Sequence, residues 1–230
     1  MGPTLDTEAL IKRLSENAKP TQPLANPWLR ALAWLAISVP CLMAVIVLFS
    51  PRADLGAKLI EARFLIEQSA ALATAFTAAI AAFASTIPGY DKKYLILPVV
   101  PLAAWLATLG IGCFVDLSHS GFHLTVFHAD WFCLPGIVMV GALPGLAIVF
   151  MLRRGAPLSP ASSTMLGGLA AAALGDFGLR FFHPEDTGLL VLVWQFGSVF
   201  LLSVLSAWIG RHVLNWKSKI EANKEEMLAR

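Results

Sequence analysis

Six stretches of about 20 predominantly apolar residues, each long enough to carry a helix across a hydrocarbon core about 30 Å thick, follow one another along this 230-residue chain. They fall at 30–50, 64–87, 94–114, 132–152, 162–182 and 188–210. Backbone amides inside lipid must be satisfied within their own segment, so such stretches are helices. The fold expected is an all-α integral membrane protein, a six-transmembrane-helix bundle. It divides into an N-terminal tail (1–29), a membrane domain (30–210) and a basic C-terminal tail (211–230). Composition agrees: 57% of residues are hydrophobic and only 14% charged, against roughly 25% charged in soluble domains. The first apolar stretch starts after some thirty residues and has no small-residue cleavage pattern behind it, so it reads as a retained helix and not a signal peptide.

The distribution of Lys and Arg sets the expected orientation. Lys12, Arg13, Lys19 and Arg30 lie in or beside the N-tail, Lys92 and Lys93 in the second loop, Arg153 and Arg154 in the fourth, and Arg211, Lys217, Lys219, Lys224 and Arg230 in the C-tail. The other side has only Arg52, Lys58, Arg63 and Arg180. Both tails are therefore expected in the cytoplasm. A net charge of +2, with the cations scattered between apolar blocks, points away from direct nucleic-acid binding.

Small residues in the fifth span, Gly167, Gly168, Ala171, Ala172 and Gly175, allow close backbone approach and place that helix at the bundle centre. Pro98, Pro101, Pro144 and Gly145 suggest bends in the third and fourth spans. Trp28, Trp34, Trp131 and Trp216 fall near span ends, where aromatic rings sit at headgroup level.

Three regions carry candidate functional residues. Thr4 to Ala18 reads as a short amphipathic helix capped by Thr4 or Asp6, with Leu10, Ile11, Leu14 and Ala18 on one face and Pro20, Pro23 and Pro27 as a stiff spacer. Such a helix is marginal alone in water; it either docks in a partner groove or on the bilayer, or remains a solvated tail. The third loop has no Lys or Arg but holds Asp116, His119, His123, His128 and Asp130 between Cys113 and Cys133, and His183, Glu185 and Asp186 face the same side. Imidazole, thiolate and carboxylate suit a transition-metal ion such as copper or zinc, although the spacing fits no specific metal motif and a plain polar loop is the alternative. Cys113 and Cys133 either pair in an oxidising compartment or pack as small hydrophobes, and the latter is the reading for Cys41. Asp176, an ionisable group inside a span, has Arg180 four residues on; the pair is either structural or relays a signal. Nucleophile elbow, phosphate loop and HExxH are absent from the sequence, so no enzyme is expected.

At Arg153-Arg154-Gly155-Ala156-Pro157, then Gly167-Gly168-Leu169, then His183-Pro184-Glu185-Asp186-Thr187 with Trp194 beyond, the sequence resembles the NrsF family. These are six-helix membrane anti-sigma factors, negative regulators of extracytoplasmic-function (ECF) sigma factors in proteobacteria. In the family pattern one Cys opens the fourth helix and a second precedes the Pro-Glu-Asp turn. Cys133 fits the first position, whereas His183 stands at the second. A Cys/His pair cannot form a disulfide but retains two good metal ligands. The resemblance implies an inner-membrane protein whose cytoplasmic tail, helped by the basic C-tail, holds an ECF sigma factor and releases it on an extracytoplasmic stress. A metal ion or oxidant at Cys133, His183, Cys113 and the third-loop histidines is then the candidate input, with Asp176, Arg180, Glu185 and Asp186 as the relay. A small metal-ion transporter or permease is the alternative; it requires polar groups within several spans, and from the sequence only Asp176 comes close. A membrane-embedded assembly subunit is a third class.

Overall fold

A computed structural model of the protein describes residues 7–16, 24–120, 133–155, 159–183 and 196–213. Among these, the helices in chain order are α1 (Thr7–Glu16), α2 (Pro27–Phe49), α3 (Leu55–Lys58), α4 (Ala62–Ala84), a 3₁₀ turn (Lys92–Ile96), α5 (Val99–Ser120), α6 (Cys133–Leu152), α7 (Pro160–Leu179) and α8 (Gly197–Val213). No strand occurs among the described residues.

Four helical stretches are long and apolar enough to cross a membrane: α2, α4, the run Lys92–Val115 leading into α5, and Leu134–Leu152 of α6. The apolar part of α8, Gly197–Gly210, is shorter. The fifth predicted span appears as α7, which is not among the four. Ser162, Ser163, Thr164, Asp176 and its glycines lower its hydropathy. They are tolerated because α7 is the central helix: it packs most extensively against α4, α6 and α8 and also touches α2, and thirteen of its twenty residues are buried. Small residues make this possible. A Cβ on Gly175 would lie 2.6 Å from the carbonyl oxygen of Ile137, and one on Gly141 would lie 2.9 Å from that of Ala171. Glycine at both positions lets the backbones of α6 and α7 touch.

Several expectations change at the N-terminal end of the membrane domain. Pro27 is not part of a spacer but opens α2, where its missing N–H costs nothing, and the side chain of Asn26 caps the helix by accepting from the N–H of Trp28 at 3.0 Å. Arg30 is buried inside the bundle and does not belong to the tail. Trp34 is not at an interface but fully buried, its Nε1 donating to the carbonyl of Pro144 at 2.9 Å. Trp28 remains partly exposed, edge-on to Phe76. Pro98 precedes α5 and Pro101 falls in its first turn, where proline starts a helix without breaking it. Pro144 lies within a continuous α6. Trp131 and Trp216 lie outside the described residues.

Candidate functional site

A chain of ion pairs, centred on a buried carboxylate, crosses one end of the bundle. Glu67, in the second turn of α4, is 3% exposed and sits between two guanidinium groups. Arg63, one turn earlier on α4, donates from Nε to Oε1 at 2.9 Å, and Arg180, at the C-terminus of α7, donates from Nη2 to Oε2 at 3.2 Å. Arg180 is well placed for a cation: the C-terminal end of the α7 dipole carries partial negative charge, and its guanidinium lies 5.6 Å from the ring centre of Phe64. On its other side, Arg63 crowds the space where a Cβ on Gly112 of α5 would stand. Ion pairing and packing therefore link α5, α4 and α7 in series.

Asp176 lies one turn before Arg180 and is 2% exposed. Its Oδ1 and the Oε1 of the buried Gln68 have no hydrogen-bond partner among the described residues. Asp176 and Arg180 lie one turn apart on α7, but the ion pair seen at Arg180 is to a partner the sequence did not suggest, Glu67 of α4, from 113 positions away. Buried acceptors without donors are costly, so small shifts of α4 against α7 change the energy of this cluster. Such an arrangement can have two states.

The loop after α2 closes over the same end. The N–H of Arg52 donates to the carbonyl of Phe181 at 3.0 Å. Its buried side chain binds Asp54 through Nε at 2.6 Å and Nη2 at 2.8 Å, and Nη1 reaches the carbonyl of His183 at 3.5 Å. This guanidinium holds the Asp54 carboxyl below its ordinary pKa. His183 is half-buried, its N–H donating to the carbonyl of Leu179 at 2.9 Å. Cys113, half-buried on α5 next to Gly112, is a free thiol, as is Cys41 on α2. His119 belongs to the last turns of α5 and Cys133 is the first residue of α6. His123, His128, Glu185 and Asp186 lie outside the described residues. Cys113 and His183 thus share one end of the bundle, but among the described residues no three His, Cys, Asp or Glu side chains are grouped to hold a metal ion.

At the opposite end a second polar cluster ties α2 to its neighbours. Arg30 donates from Nη1 to Thr86 Oγ1 at 3.0 Å and from Nη2 to the carbonyl of Met151 at 2.7 Å, with its guanidinium 4.4 Å from the ring centre of Phe83. Thr86 in turn donates to the carbonyl of Phe83. A Cβ on Gly155 would overlap Thr86, so the turn after α6 reaches this cluster only because residue 155 is glycine. Ser85 and Ser163 share a hydrogen bond of 2.7 Å beside it. Ahead of this anchor, α1 carries Leu10, Ile11 and Leu14, with Ile11 exposed, while Ala18 lies outside the described residues.

Among protein families, the NrsF family, described as negative regulator of sigma F, matches residues 14–216. The chain belongs to the NrsF family. The match runs from within α1 past the end of α8 and takes in both polar clusters. No curated protein and no solved structure matches. Membership makes this NrsF protein a negative regulator of a sigma factor and gives it a sigma factor as partner.

The residues the sequence did not single out are Glu67, Gln68, Arg63, Thr86 and the buried role of Arg30. A signal for Glu67 was present: a carboxylate inside the predicted 64–87 span, four residues after an arginine, meets the same criterion that marked Asp176. Gly155, within the Arg-Gly-Ala-Pro turn that carried the family likeness, has a physical role as the seat for Thr86.

Proposed function

We propose that this NrsF protein is a six-span inner-membrane anti-sigma factor with both tails in the cytoplasm, that its tail 1–29 holds an ECF sigma factor away from RNA polymerase, and that an extracytoplasmic metal ion or oxidant releases it. It acts by binding and not by catalysis. The observation that supports this reading, beyond family membership, is that α1 ends only fourteen positions before the buried Arg30 in the sequence. The contact face proposed is Leu10, Ile11, Leu14 and Ala18, an amphipathic stripe that gains its order from the partner. A tail of 29 residues is comparable to the roughly 20–30 residues a side of a stable interface, so nearly all of it docks, with help from the basic C-tail.

The input proposed is capture of copper or zinc, or oxidation, by Cys133, His183, Cys113, His119, His123 and His128. Either acts by favouring one arrangement of the bundle over another, since a ligand shifts an equilibrium only by its differential affinity. Asp176 and Arg180, with Glu185 and Asp186 beyond them, relay that choice, and Glu67 joins them. The test is affinity purification of the detergent-solubilised, tagged protein from its own cells, beside a version lacking residues 1–20. The expected result is a sigma factor recovered with the intact protein and lost with the truncation; recovery from neither, in cells expressing the sigma factor, overturns the reading. A small metal-ion transporter is the second reading, favoured by one observation: acidic groups buried on two adjacent helices, Glu67 and Asp176. Metal uptake into reconstituted vesicles is its assay.

A further inference from the structure

We propose that the groove between α6 and α8 binds one acyl chain of an anionic glycerophospholipid, with the lipid phosphate on Arg153. Helices α6 and α8 both pack closely on α7 but touch each other little. A narrow cleft over α7 is left between them, with the largely buried Gly168, Ala171 and Ala172 in its floor and a volume of about 650 Å³. Its outer walls are apolar and face outward: Leu146 is 65% exposed, Phe150 69% and Ile209 50%. A void of this size in contact with lipid is filled by hydrocarbon, because empty space in a packed interior forfeits dispersion contacts.

Dimensions favour a single chain over a helix. Along α6 the groove runs from Ile137 to Arg153, about 24 Å at the rise of an α-helix. The volume then corresponds to a mean cross-section of about 27 Å² for the centre of a water molecule, or about 60 Å² out to the walls once its radius of about 1.4 Å is added. A helix about 10 Å across needs about 80 Å², so neither another segment nor a second copy enters to full depth. Charge selects the head group. Arg153 lines the groove at the C-terminal end of α6 and is exposed, Arg154 follows it, and among the described residues no carboxylate is in the lining. Among the described residues Arg153 has no ion-pair partner, which leaves its guanidinium free for bidentate contact with a phosphate. The end of a membrane helix is also where a phosphate lies when its chain runs alongside that helix.

The test is native mass spectrometry of the full-length protein in detergent, titrated with dioleoyl phosphatidylglycerol or dioleoyl phosphatidylcholine. One phosphatidylglycerol is expected to bind in preference, and inorganic phosphate, having no chain, is expected not to displace it. Arg153→Gln, at an exposed position, should weaken the preference about fivefold. Ala142→Trp, at an exposed position in the groove wall, should reduce binding of both lipids at least tenfold. A phosphatidylglycerol with a photoreactive acyl chain, used on the unaltered protein, should label α6 and α8 around Leu146 and Ile209. Equal binding of the two lipids, undiminished binding by the Trp variant, labelling elsewhere, or a lipid-free dimer that the Trp variant abolishes would each overturn the proposal.

Discussion

Glu67 and Arg180 are buried on different helices, and each is the other's counter-charge. Removing the Glu67 carboxylate takes it from both Arg180 and Arg63, and breaking a buried pair typically costs about 3–5 kcal/mol. Glu67→Gln is therefore expected to lower unfolding stability in detergent by about 3 kcal/mol. Glu67→Gln with Arg180→Gln should be less damaging than the sum of the two singles, by a coupling of about 1–3 kcal/mol; additive losses in thermal denaturation would mean that the contact is incidental. Asp54 allows a pH test outside the spans. Its folded-state pKa lies below the ordinary value, chiefly through the hydrogen bond from Arg52, so the stability it adds is complete above the unfolded-state pKa of about 4 and is lost as pH falls through the lower, folded-state pKa. The apparent melting temperature should therefore lose this contribution only below about pH 4. Asp54→Asn should lower it at pH 7 and flatten that acid limb; an unchanged acid limb would remove Asp54 from the account. At this scale the sequence exposed Asp176 and Arg180, because ionisable groups inside an apolar run are conspicuous. It hid Glu67, because Arg63, Glu67 and Gln68 sit near the start of α4 and read as the charged margin of a span. Pairing across 113 positions has no local signature.

At the scale of the helix, the usual sign of burial is inverted. The buried residues of α2, Pro27, Arg30, Ala31, Trp34, Ser38, Leu42 and Ile46, recur every three or four positions, yet Leu29, Leu32, Ile37, Val47 and Leu48 on its outer side are the more uniformly apolar set. Lipid is as apolar as any core, so hydropathy marks length and not facing. For this reason helix existence and approximate limits were legible, while Arg30 and Trp34 were assigned to the wrong environments by rules that depend on distance from a span end. The central place of α7 was legible from small-residue spacing, which is a packing signal. That signal supports a direct test. Gly175→Val puts a branched side chain against the Ile137 carbonyl, where a Cβ alone would already stand at 2.6 Å. The expected loss is at least about 3 kcal/mol, the upper part of the overpacking range, because backbone cannot yield as a side chain does. Gly110→Ala, where nothing lies within 4 Å, should be neutral or slightly stabilising by helix propensity. Equal thermal stability of the two variants would mean that α6 and α7 are not in backbone contact.

Across the whole molecule the two polar clusters are joined by one element. Helix α4 carries Glu67 near its start, and Phe83 and Thr86 at and just beyond its end. Its 23 residues make a rod about 34 Å long. A tilt of α4 that re-pairs Glu67 with its two arginines also moves Thr86 and Phe83 beneath Arg30, and Arg30 lies at the root of the tail. Position between two sites does not by itself demonstrate coupling; a shared two-state element does, and it makes the effects of the two sites interdependent. Under the proposed function, Glu67→Gln shifts the inducer concentration that half-activates a sigma-dependent reporter, because it biases the bundle. Arg30→Ala removes charge-assisted hydrogen bonds of about 1.5–3 kcal/mol and frees the tail from the bundle, so the reporter responds less to inducer at unchanged membrane abundance. If α4 is the link, the Glu67→Gln shift should shrink severalfold in an Arg30→Ala background. The same shift in both backgrounds would mean that the signal reaches the tail by a route other than α4 and Arg30, with α6 and the Arg153–Gly155 turn the next element to test.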